Sequence, residues 1–121
     1  MAVEQSQDAL ILKLLSVSSM RAKVIAGNLS NQNTPGYTRR VVRFEDMLND
    51  ALDRGKDLSV AADIAPYIEE DHSRPPGTDG NNVNMETEVN SLRENRLLYD
   101  LYASILGART RMIESSINGG R

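Results

Sequence analysis

A chain of 121 residues is one domain by length, with room for a modest core, and its formal net charge of −3 argues against a duplex nucleic-acid binder. Without cysteine it has no disulfide framework, no cysteine-based zinc site and no thiol chemistry, and with no Trp and one Phe it has few large residues with which to complete a core alone. No apolar run is long enough to span a bilayer, and the acidic start Met-Ala-Val-Glu-Gln-Ser-Gln-Asp lacks the pattern of a secretory signal. That reads as cytoplasmic, unless a dedicated machine exports the chain without cleavage.

In chain order, residues 1–33 come first. Ile11, Leu15, Ala22, Ile25 and Leu29 recur at helical spacing. Leu10, Leu14, Val17 and Val24 widen the stripe, while Lys13, Arg21 and Lys23 occupy much of the rest. The spacing predicts an amphipathic, heptad-like helix roughly 40 Å long at about 1.5 Å per residue. It should fail at the asparagines: Asn28, Asn31 and Asn33 carry short amides that compete for nearby backbone groups. Pro35-Gly36 then forms a type II turn, with Gly36 at positive φ.

The rest of 34–44 is an extended segment, Tyr-Thr-Arg-Arg-Val-Val-Arg-Phe, whose β-branched and aromatic residues suit a lone edge strand. A short helix over 45–54 gathers Phe44, Met47, Leu48, Ala51 and Leu52 on one face, and Gly55 is placed to end it. Residues 55–82 lose all pattern under repeated Pro and Gly. Between Glu45 and Asn82 ten acids stand against three bases, so a mobile acidic loop, or one that orders against a partner, is expected. Asn84 is an N-cap candidate for a second long helix over 84–118, with Glu86 and Glu88 in its first turn and Asn118-Gly119-Gly120 at its end. Apolar residues lie on more than one face of this helix, as in a helix packed among several neighbours. The fold class is therefore mainly α: two long terminal helices pair as an antiparallel hairpin or coiled coil around a short extended segment, a short helix and a flexible acidic loop.

Chemistry is sparse. His72 sits among acids, but nothing supplies the further ligands zinc needs, and a solvated loop histidine is the simpler reading. A calcium loop with Gly80 at its sixth position would put Pro75 and Gly77 where carboxylates belong. Arg39, Arg40 and Arg43 form a small basic patch that either holds phosphate or bridges to acids. No nucleophile motif, Walker loop or dinucleotide fingerprint is present, so neither enzyme, cofactor nor small-molecule substrate is expected.

Asn28-Leu29-Ser30-Asn31-Gln32-Asn33-Thr34-Pro35-Gly36-Tyr37, following a long helix, closely resembles the N-terminal motif of bacterial flagellar axial proteins of rod, hook and hook–filament junction. The second helix, opened by Val83-Asn84-Met85-Glu86, resembles that family's C-terminal helix. Together the resemblances cover roughly the first fifty and last forty residues. Longer members carry large β-rich domains between the helices, so the short chain is most similar to the proximal rod proteins, of which there are two sister types. The resemblance implies a structural subunit of the basal-body rod, the driveshaft that crosses the periplasm. It implies export through the flagellar type III apparatus, helical polymerisation through the terminal helices, and partners among its own copies, other rod proteins, a rod-base adaptor and the export gate, with no nucleic acid. On this reading Ile11, Leu15, Ala22, Ile25 and Leu29 face Val89, Leu92, Tyr99, Leu106 and Ile113. Leu14, Leu97 and Leu101, with Arg39, Arg40 and Arg43, meet other subunits. The Asn28–Tyr37 turn locks one helix end against a neighbour. A competing class is a cytoplasmic helical adaptor or export chaperone folded around the same two helices; a small nucleic-acid-binding bundle using the three arginines is a poorer one.

Overall fold

The computed structural model describes residues 2–119. Two long helices, α1 (Ala2–Ser30) and α3 (Met85–Gly119), bracket a middle segment. That segment runs through β1 (Arg40–Arg43), α2 (Glu45–Asp53), a 3-10 helix (Leu58–Asp63) and β2 (Tyr67–Glu70). Among the described residues no helix is long and apolar enough to cross a membrane. The helices lie antiparallel: Asn28 meets Glu88, Asn95 meets Ser18, and Arg109 meets Asp8 near the start of α1. Gly120 lies outside the described residues.

The apolar core sits on the flank of α1 that faces the middle segment. Val17, Val42, Phe44, Leu48 and Ala61 are buried together, and Leu10, Leu14, Met20, Val24, Leu52 and Ile64 pack around them. Val42 and Phe44 reach the core by the two-residue period of an extended chain, whereas Leu48 and Leu52 reach it from one face of α2. Arg21 fastens this arrangement. It donates to both Glu45 carboxylate oxygens at 2.9 and 2.8 Å and to the Val42 carbonyl at 3.2 Å. Burial is the largest single influence on Glu45 and would raise its pKa, but the Arg21 hydrogen bonds, a backbone hydrogen bond and the charges of Arg21 and Arg43 together outweigh it and hold the carboxyl below its ordinary range.

The structure departs from expectation in two places. α1 ends at Ser30 rather than 33, because the Asn31 N–H is shared between the Gly27 and Asn28 carbonyls and the chain tightens into a turn. The second departure is in residues 55–82, which carry the 3-10 helix and β2, so β1 is not a lone edge strand. β1 and β2 pair antiparallel, with Arg40 opposite Glu70 and Arg43 opposite Tyr67. Tyr67–Glu70 gives no strand signal by itself, since half of it is acidic. Its order comes from its partner: Arg43 pairs with Glu69, and the Asp71 N–H donates to the Arg39 carbonyl at 2.7 Å.

Candidate functional site

The Gly27–Tyr37 stretch folds into a polar clasp that joins the end of α1, the start of β1 and the approach to α3. Gly36 has φ +74°, and the Tyr37 N–H donates to the Thr34 carbonyl at 3.3 Å, closing the turn. Asn28, with no exposed surface, is the centre. Its Nδ2 donates to the Arg40 carbonyl at 2.8 Å and to Glu88 Oε2 at 3.2 Å. Its Oδ1 accepts from the Arg40 N–H at 3.0 Å and the Tyr37 hydroxyl at 3.1 Å. One amide thus uses its two donors and two lone pairs, and it pairs with β1 as a neighbouring strand would.

The other wall is the segment before α3. Asn81 Nδ2 donates to the Asn31 and Thr34 carbonyls, both at 2.8 Å. Asn82 Oδ1 accepts from the Arg39 N–H at 2.6 Å, while its Nδ2 donates to the Asp71 carbonyl at 2.7 Å. The Gly36 N–H reaches the Asp79 carbonyl at 2.9 Å. Gly80 passes so close that a Cβ there would lie 3.3 Å from Gly36 Cα. Asn84 then caps α3, accepting from the Thr87 N–H at 2.9 Å.

Charge closes the clasp. Arg39 lies between Asp71 and the fully buried Glu88 and pairs with both. Burial works against the Arg39 cation, but Glu88 and Asp71 together raise its pKa above the usual guanidinium value. Hydrogen bonds from Ser73, and then the Arg39 guanidinium, hold Asp71 down at about 2.

Of the arginines assigned to other subunits, Arg39 and Arg43 are therefore taken up inside the chain, by Glu88 with Asp71 and by Glu69. Arg40 is exposed, with its backbone held by Asn28. Leu14 belongs to the inner packing and not to an outer face, because the middle segment folds back over that side of α1. On the α1–α3 seam, Ile25 is buried, while Ile11, Leu15, Ala22, Leu29, Val89, Leu92 and Leu106 are partly covered. Tyr99 and Ile113 are exposed, at 43% and 55%. α3 touches α1 along a narrower strip than its apolar content suggests, and polar rungs mark that strip: Asn28 with Glu88, Ser18 with Asn95, and Asp8 with Arg109.

Leu97 and Leu101 stand out from the molecule at 72% and 52% exposure. Exposed with them are Ile105, Met112, Ile113 and Ile117. Sequence reasoning missed Asn81, Asn82, Asp71 and Asn95; Glu88 does stand in the first turn of α3 as expected, but it is also the buried partner of Arg39, which was not foreseen. The Asn-Asn pair just ahead of the N-cap was the one available signal. His72 is solvent-exposed, with Nε2 3.4 Å from Glu70.

What this arrangement can do is hold two helices at a fixed angle while presenting unpaired apolar surface. No family model matches the chain. It is 33% identical over 110 residues to the flagellar basal body rod protein FlgB of Borrelia hermsii, covering 77% of this chain and 82% of that protein. To FlgB of Salmonella typhimurium it is 25% identical over 122 residues, covering 88% of each. To that of Bacillus subtilis it is 24% identical, covering 88% and 89%. These relatives fit the FlgB type and not its sister, FlgC. Similar in sequence over nearly its whole length, and built as two clasped helices with an uncovered outer face, the chain belongs to the FlgB family of flagellar basal body rod proteins.

Proposed function

We propose that this chain polymerises helically through its terminal helices as a structural subunit of the proximal rod, transmitting torque across the periplasm. The observation that carries the reading is the run of uncovered apolar residues on α3, from Leu97 at 72% exposure to Ile117 at 68%. A chain with this much unpaired surface on one helix, and with both helices pinned by the clasp, is built to be completed by neighbours. A heterologous contact between such surfaces, repeated by a rotation that does not close, gives an open helical assembly. Its partners on this reading are its own copies, other rod proteins and a rod-base adaptor. It reaches them through the flagellar type III export gate.

The test is a tagged copy followed into purified basal bodies. Covering one leucine contributes about 2 kcal/mol, so Leu101→Asp should leave a soluble chain of unchanged helicity that is absent from the basal bodies. Normal incorporation of Leu101→Asp would overturn the role given to this face. Absence of the tagged wild-type chain would overturn the rod assignment itself.

A further inference from the structure

α3 has two outer sides, and they differ. On one, Leu92, Asn95, Arg96 and Tyr99 form a groove with Ser18 and Ala22 of α1, a space of about 580 Å³. Asn95 lines it at 5% exposure. Its Nδ2 is used by the Ser18 carbonyl at 2.8 Å, but its Oδ1 has no hydrogen-bond partner among the described residues. Small residues on the α1 wall let another helix approach closely.

At 3.6 residues per turn, Glu94, Leu97, Leu101, Ile105 and Met112 fall on roughly the opposite side of α3. The four apolar members are exposed at 72%, 52%, 39% and 71% in chain order. Glu94 heads this stripe, while Arg93, Arg96 and Asp100 line the groove. All four are exposed, and none forms an ion pair among the described residues. Groove and stripe thus differ in shape and are opposite in net charge, on one helix of one chain.

We propose that the groove lined by Asn95 receives the Glu94–Met112 stripe of α3 from a second copy of this chain. The two α3 helices lie side by side and point the same way. This rests on the rod reading, because copies related by a screw along a rod keep one polarity. With little axial offset, Glu94 of one copy comes level with Arg93 and Arg96 of the next, and Leu97 and Leu101 cover Leu92 and Tyr99. Because the two surfaces are different, each copy uses both, and under the screw relation of a rod the contact propagates without closing.

The charges supply the test. Glu94→Arg and Arg96→Glu should each lower the amount of chain in purified basal bodies by more than about tenfold, since each sets like charges face to face. Circular dichroism should be unchanged, because neither side chain has an ion-pair partner among the described residues of its own copy. The double variant E94R/R96E should restore incorporation and motility. Rescue within a single chain requires that copies meet each other. A partner of another kind would leave the double variant at least as defective as either single one, and that result overturns the proposal. Normal incorporation of both single variants overturns it as well. Either failure, with the wild-type chain present in basal bodies, leaves the rod assignment standing.

Discussion

Single side chains carry much of this fold. Asn28→Ala would strip partners from the Arg40 N–H and carbonyl, the Tyr37 hydroxyl and Glu88, all tied to one buried amide. Two or more of these groups stay covered, so the loss should be about 2–4 kcal/mol in urea unfolding. Two glycines a few residues apart should respond in opposite directions. A Cβ on Gly36 would meet nothing within 4 Å, so Gly36→Val is opposed chiefly by the backbone, at φ +74°, and should lose about 1–3 kcal/mol. Gly27 lies inside α1, and an added methyl group there would meet nothing within 4 Å, so Gly27→Ala should gain about 0.5–1 kcal/mol. Asp71 makes the clasp acid-sensitive. Its folded pKa of about 2 lies below its unfolded value near 3.9, so its contribution is complete above about pH 4 and is lost as pH falls towards 2. That contribution is up to about 2 kcal/mol. Thermal unfolding should therefore fall off more gently between pH 4 and 2 in Asp71→Asn than in the wild-type chain.

At the scale of elements, legibility follows the range over which each element is determined. Both long helices and α2 are written in local periodicity, and the caps and turns at Gly36, Gly55 and Asn84 are written in the residues that occupy them. β2 is different. Tyr-Ile-Glu-Glu becomes a strand only because Arg40 and Arg43 lie across from it, a relation between positions nearly thirty residues apart. The clasp failed to appear for the same reason: Asn81 and Asn82 read as loop residues until they are set against Asn31, Thr34 and Arg39. The faces of α3 were half legible. Periodicity showed an apolar excess, but it could not say which stripe α1 would cover. That was decided by the polar residues Glu88, Asn95 and Arg109 rather than by the leucines.

For the whole molecule, the two helices are joined by unlike means. Every member of the buried apolar cluster belongs to α1 or the middle segment, and none to α3. α3 is attached through amides, ion pairs and a strip of partly covered apolar residues including Val89, Leu92 and Leu106, and its last turns from Thr110 onward are exposed on all sides. The molecule is therefore a folded head with an oar: the apolar cluster of the head draws no member from α3. In hydrogen–deuterium exchange of the unassembled chain, amides of β1 and α2 should stay protected. Those from Thr110 to Gly119 should exchange at rates close to those of free peptide, and assembly should slow them sharply. A subunit divided in this way can be added to a growing end by laying down one arm, with its folded body never having to reopen.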